Sequence, residues 1–145
     1  MKRILAATDG SEDANRAIDF AASLARDLGA ELALANVIGG YGLPDEIFKR
    51  FTRAEAAWLD ELLEAHSAQI LKTARERAAK GGASLVAIES RRGDGAPTLV
   101  RIADDLDAGA IVVGRRGASG AASLLLGSAA HKLVSLATRP VIVVP

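Results

Sequence analysis

The chain has 145 residues, the length of one ordinary domain. Half of the residues are hydrophobic, cysteine is absent, and Lys+Arg equals Asp+Glu at 18 each, so the net charge is zero. These values exclude a disulfide framework and a thiolate zinc site, and they argue against a general binder of nucleic acid or anionic membrane. Aromatic residues are 3% and alanines number 30, so the core must come from Val, Ile, Leu and Ala at close helix–sheet spacing. A stacking platform for single-stranded nucleic acid is disfavoured for want of rings. No apolar run approaches the ~20 residues that span a bilayer. The apolar stretch after Lys2 and Arg3 is too short for a signal peptide. A soluble cytoplasmic protein is expected.

Five short segments read as buried strands: 3–8, 31–37, 84–89, 110–113 and 141–144. Their nearly continuous apolar runs suit strands covered on both faces, as in a parallel sheet. A helix is expected over 12–28, where Ala14, Ala17, Ile18, Ala21, Ala22, Leu24, Ala25 and Leu28 follow helical spacing and Gly29 stops the run. A long helix is expected over 45–80, with Ile47, Phe48, Phe51, Trp58, Leu62, Ile70, Leu71 and Ala74 on one stripe and Gly81-Gly82 at its end. A third covers 97–106, opened by Pro97, and a fourth 128–136, with Pro140 leading into the last strand. Gly39-Gly40-Tyr41-Gly42 sits where a binding loop or mobile lid would be expected. The βα alternation calls for α/β architecture, a single-domain doubly wound five-stranded parallel sheet.

Two strand orders compete. The order 2-1-3-4-5 belongs to response-regulator receivers, which need an acidic cluster after the first strand and a phospho-acceptor Asp after the third. Here the third strand runs into Ser90-Arg91-Arg92-Gly93. The order 3-2-1-4-5 places a ligand crevice between the first and fourth strands. The glycine-rich polar segments follow those two strands, as Thr8-Asp9-Gly10-Ser11 and Gly114-Arg115-Arg116-Gly117. This favours 3-2-1-4-5. Charge is also uneven: no acidic residue follows Asp107, and Arg115, Arg116, Lys132 and Arg139 give the remainder a net +4. Either chance or a local anion site explains that.

Gly114 and Gly117 are expected to take positive φ and approach a ligand closely. Gly127 and Ser128 open a helix whose free N–H groups and dipole favour an anion. Ser128 is the expected N-cap, and Arg115 and Arg116 supply charge-assisted donors. No Gly-Lys-Ser/Thr occurs, and the spacing is not G-x-G-x-x-G. It is G-x2-G-x9-G-[S/T], from Gly114 to Ser128. With the first strand ending in Thr8-Asp9-Gly10-Ser11, Val37 closing the second, and Arg139-Pro140-Val141-Ile142-Val143-Val144-Pro145 at the end, the whole chain resembles the universal stress protein (UspA-like) family, in its ATP-binding branch.

The resemblance implies an adenine nucleotide alpha hydrolase-like fold. It implies that Gly114, Arg115, Arg116 and Gly117, with Gly127, Ser128 and Ala129, wrap the phosphates of ATP (or AMP or ADP), with Mg²⁺ accompanying them. Ala7, Thr8 and Asp9 would line the nucleoside, and Val37 the adenine. The last strand, Val141–Val144, would pair with its twin in a homodimer, covering an apolar edge. Three departures point to weaker binding: Asn36 stands where many members carry a histidine, the spacer 118–126 has no Lys or Arg, and Ala129 offers only its backbone.

Structural roles compete at several positions. Asp9 could simply cap the first helix with Ser11. Gly114 and Gly117 could serve a tight turn, and Arg115 and Arg116 could be solvated. Trp58 reads as core or interface packing, Tyr41 as a surface residue, and Arg91 and Arg92 as a solvated strand end. His66 and His131 lack spaced partners for a metal. Three functions stay open: a nucleotide-binding stress-response module, an interaction protein that binds no nucleotide, and an ATPase. No Glu, Asp or Gln lies beyond Asp107 to orient a water, so hydrolysis is expected to be slow or absent.

Overall fold

The computed structural model describes residues 1–39, 45–117 and 126–145. Five parallel strands lie in the order β3-β2-β1-β4-β5. They are β1 (Arg3–Ala7), β2 (Glu31–Ile38), β3 (Ser84–Arg92), β4 (Ala110–Gly114) and β5 (Val141–Val144). The helices are α1 (Glu12–Leu28), α2 (Asp45–Lys49), α3 (Arg53–Lys80), α4 (Gly95–Asp105) and α5 (Ser128–Leu136).

Alternation along each strand feeds two cores. On one face Ile4, Ala6, Leu32, Leu34 and Val112 pack against Ala17, Ile18, Ala21 and Ala25 of α1 and Leu71, Ala74 and Ala78 of α3. On the other, Leu5, Ala33, Ala35, Ile111 and Val113 meet Leu99, Ile102 and Ala103 of α4 and Ala130 and Leu133 of α5. Alanine on α1 sets a short helix–sheet distance. The same closeness holds between helices, where a Cβ at Gly81 would stand 2.7 Å from the Ala22 Cβ.

The expected α1 and α5 bounds match. Ser11 caps α1 by accepting from the Ala14 N–H, and Gly29 ends it at φ 65°. The single helix expected over 45–80 is instead broken at 50–52. Thr52 adopts extended backbone, accepts from the Glu55 N–H, and donates its own N–H to the Glu55 carboxylate. This reciprocal capping box starts a new helix. The expected stripe also divides, because Leu71 and Ala74 are buried while Trp58 and Leu62 are 63% and 46% exposed. Trp58 is therefore not core. The helix expected from Pro97 begins two residues earlier, at Gly95, so Pro97 takes the third helical position, where its missing N–H still costs nothing. The third strand runs on to Arg92, beyond the expected Glu89, and holds Arg91 and Arg92 in ion pairs with Asp105 and with Asp60 and Glu64. Among the described residues, no helix is long and apolar enough to cross a membrane.

Leu34 is fully buried at the centre of β2. Leu34→Ala is expected to cost about 2–5 kcal/mol of unfolding free energy in urea titration, with the native fold kept.

Candidate functional site

β1 and β4 are hydrogen-bonded neighbours, in register from Ile4↔Ala110 to Ala6↔Val112. Beyond their carboxyl ends the chain leaves in different directions, into α1 from β1 and toward α5 from β4. A cavity of about 460 Å³ opens there, as expected for a reversal of strand order. Its walls contain all the residues singled out from the sequence: Ala7, Thr8, Asp9, Val37, Gly114, Arg115, Arg116, Gly117, Gly127, Ser128 and Ala129. They also contain Asn36 of β2, His66 and Ile70 of α3, and Gly95 and Leu99 of α4. The helical contributors carry no local motif. Asn36 had one visible sign, as a polar residue inside an otherwise apolar strand.

Gly114 and Gly117 do not take positive φ; Gly10 does, at 83°. What the two glycines supply is room. A Cβ at Gly114 would lie 2.7–2.9 Å from backbone atoms of Asp13 and Ala14, so this glycine lets the first turn of α1 sit against the end of β4. A Cβ at Gly117 would lie 2.7 Å from Asp9 Oδ2. At Gly127 it would meet Arg115 O and Arg116 Cα at 3.2 Å. The Gly127 N–H donates to Arg115 O at 2.8 Å, which draws the start of α5 onto the loop after β4.

The N-cap of α5 is Gly127, with extended backbone and no side-chain cap, and not Ser128, which is the first helical residue. The bond from Gly127 to Arg115 places the extended residue one position earlier than expected. The first turn of α5, from Ser128 to Ala130, therefore has no side-chain cap among the described residues, in contrast to α1 and α3. Its amides stand at the positive end of the helix dipole. Beside them, Arg115 Nε is buried and has no hydrogen-bond partner among the described residues. A buried guanidinium nitrogen and a helix start without a side-chain cap among the described residues are groups that can hold an anion.

Arg116 is used differently. Its main-chain N–H and its Nε both donate to Asp13 Oδ2, at 3.1 and 3.3 Å. The Arg16 guanidinium holds the other carboxylate oxygen. Asp13 is 7% exposed. Burial pushes its carboxyl up, but the Arg116 donors and the charge of Arg16 outweigh this and hold it below its ordinary value of 3.8. Asp9 makes a local turn, accepting from the Ser11 N–H at 3.0 Å through Oδ1.

The basic excess of the residues after Asp107 divides. Arg139 bonds Asp104 and the Ala108 carbonyl at the amino ends of the strands, away from the cavity. Lys132 is exposed on α5. Only Arg115 and Arg116 of that group line the cavity. The expectations for Gly40, Tyr41, Gly42 and the spacer 118–125 lie outside the described residues.

Gly114→Ala is expected to cost about 1–3 kcal/mol in urea unfolding, because the intruding Cβ meets main chain that cannot step aside. Acid titration of stability tests Asp13. Its depressed pKa makes its contribution fully present above pH 3.8 and lost as pH falls through the lower folded-state value. The stability advantage of the wild type over Asp13→Asn is expected to be constant above that pH and to shrink below it.

The universal stress protein family model matches residues 1–145. Universal stress protein YxiE of Bacillus subtilis is 31% identical over 145 residues, covering 98% of this chain and 97% of its own. The solved structure of UspA from Lactobacillus plantarum superposes with a TM-score of 0.82 at 25% identity, covering 99% of this chain and 97% of the other. A universal stress protein from Archaeoglobus fulgidus in complex with dAMP superposes with a TM-score of 0.64 at 27% identity, covering 100% and 98%. Another universal stress protein, in complex with cAMP, does so with a TM-score of 0.71 at 26% identity, covering 99% and 97%. With a family match along its whole length and the β3-β2-β1-β4-β5 sheet to carry it, the chain belongs to the universal stress protein family.

Proposed function

We propose that this protein binds an adenine nucleotide, ATP foremost, in the cavity beyond β1 and β4, and that the nucleotide acts as a ligand rather than a substrate. The observation that carries this reading is that, among the described residues, the start of α5 has no side-chain cap and the buried Arg115 Nε no partner, with both residues lining one cavity with Asp9. The residues fit the group. The uncapped first-turn amides and the Arg115 guanidinium are donors that suit phosphate oxygens, and Gly117 and Gly127 add no side chain to the cavity wall. The phosphates would lie against the amides of Gly117, Ser128 and Ala129 and against Arg115. The nucleoside would lie along Ala7, Thr8 and Asp9, where a carboxylate suits ribose hydroxyls or a base amino group and repels phosphate. Val37, half-buried at the end of β2, would border the adenine. The cAMP and dAMP complexes of the similar proteins support the adenine assignment.

Magnesium would arrive with the triphosphate. Among the described residues, no three His, Cys, Asp or Glu side chains gather into a metal site of their own. The described residues of the loop and of α5 place no carboxylate or amide side chain to orient a water at the γ-phosphate, which favours binding over turnover. The half-buried apolar strand β5 pairs with β4 along one edge. In a homodimer its other edge would meet the same strand of a second copy.

ATP at 100 times its Kd stabilises a folded protein by about 2.7 kcal/mol, so the melting temperature is expected to rise by roughly 5–10 °C for a chain of this size. Gly117→Val, whose side chain would strike Asp9, is expected to abolish that rise. A full ATP response in this variant would refute the site, and no calorimetric heat at millimolar ATP would favour a pure interaction protein. Steady-state hydrolysis is expected to stay below about 1 s⁻¹, the low end of typical enzymes.

A further inference from the structure

Asp13 occupies an odd place for an acidic residue. It lies in the first turn of α1, where a carboxylate normally complements the helix dipole from solvent. Here it is almost fully buried and faces the loop after β4. Three donors converge on it, two from Arg116 and one from Arg16, and the main chain of Asp13 touches the space that a side chain at Gly114 would fill. Next to an anion site, such a carboxylate is an electrostatic liability unless its bonds do something else.

We propose that Asp13 is a positioning residue for phosphate binding: by holding both the main-chain N–H and the Nε of Arg116, it fixes the course of the loop so that Arg115 and Gly117, and not Arg116, present donors to the phosphates. The inference rests on the nucleotide reading above and deepens it. The path of the loop supports it. The Arg115 N–H donates to Val144 O at 2.8 Å, and Arg115 O accepts from Gly127. The Arg116 N–H turns inward to Asp13. Successive main-chain groups are thus tied to β5, α5 and α1 in turn. The loop is anchored from three sides before it reaches Gly117. Of these anchors, only the one to α1 runs through a side chain, so only that one is open to substitution without rebuilding the backbone. The charged groups facing Asp13 are Arg16 on its own helix and Arg116 on the loop, with Asp9 at the neighbouring turn beside Gly117.

The experiment exploits opposite signs. Removing a negative charge near the phosphates should strengthen ATP binding if charge alone counts. Releasing the loop should weaken it. Calorimetry with ATP and with adenosine on nucleotide-stripped wild type, Asp13→Asn and Asp13→Ser is expected to show ATP affinity reduced about tenfold or more in both variants, with adenosine affinity unchanged. Serine is well tolerated in a first turn, so the second variant guards against loss of fold in the first. ATP affinity equal to or above that of the wild type would overturn the proposal, as would equal losses for ATP and adenosine. In the ligand-free wild type, the Arg116 amide and Nε–H resonances are expected to shift together as Asp13 titrates, at a pH below 3.8. Independent titration of the two would overturn the clamp itself. Failure of the wild type to bind ATP would instead refute the nucleotide reading, with the resonance experiment still reporting on the clamp.

Discussion

The seat of α1 on the end of β4 sets the geometry on which the site depends. That contact is main chain against main chain, made possible by the missing side chain at Gly114 and by the small residues of α1 behind it. Close packing of this kind is intolerant of a single added carbon. It carries α1 over one edge of the crevice and brings Asp13 within reach of Arg116. The loop beyond is then drawn to α5 by the bond from Gly127 to Arg115 O. Removal of the contact at Gly114 would loosen each of these in turn, because none of the later contacts involves more than one or two hydrogen bonds.

The two ends of the sheet use polar groups in opposite ways. At the amino ends, arginines satisfy the protein's own acceptors. Arg3 donates to Glu31 and to the Leu106 carbonyl, Arg139 to Asp104 and the Ala108 carbonyl, and the Gly109 N–H returns to Arg3 O. This end is closed. At the carboxyl ends, the first turn of α5 has no side-chain cap and Arg115 Nε is buried without a partner among the described residues, both in residues that line the cavity. Leaving buried donors unmet costs free energy in a fold, and a ligand that meets them recovers it. The +4 balance of the residues after Asp107 thus describes two separate tasks, one structural and one at the crevice.

The architecture was legible because its signals are local and repeated. Short apolar runs, helical spacing between them, and glycine or proline at the joins specified the order of elements, and the paired polar ends of β1 and β4 specified the sheet order. The motif from Gly114 to Ser128 located the cavity. What the sequence does not reveal depends on long-range contact. The reason for Gly114 is a neighbour about a hundred residues away in the chain, not its own torsions. Asp13 reads in sequence as an ordinary acidic residue of a first turn, and nothing local reveals its partner. The capping box at Thr52 and Glu55 is different. Its pattern is present in the sequence, but the long apolar stripe on either side of it hides the break.

The polar cluster behind the site follows the same logic of satisfied groups. Asn36 Nδ2 donates to the Thr8 carbonyl at 2.8 Å, its Oδ1 accepts from Ser67 Oγ at 2.7 Å, and Ser67 Oγ lies 2.8 Å from Ser90 Oγ. Asn36 and Ser67 are buried between apolar layers, where an unmet polar atom would be expensive. As a hydrophobic contact, position 67 would accept many residues and small rotations of the helix. Hydrogen bonds do not, since they fall off steeply with angle. The cluster therefore fixes the rotation of α3 about its axis and joins that helix to β3, β2 and the turn after β1. Because α3 buries only Ser67, Leu71, Ala74 and Ala78, Ser67 is the last fully buried point before the helix runs out past the sheet. A small hydroxyl at that point, held from two strands, places His66 and Ile70 in the cavity wall.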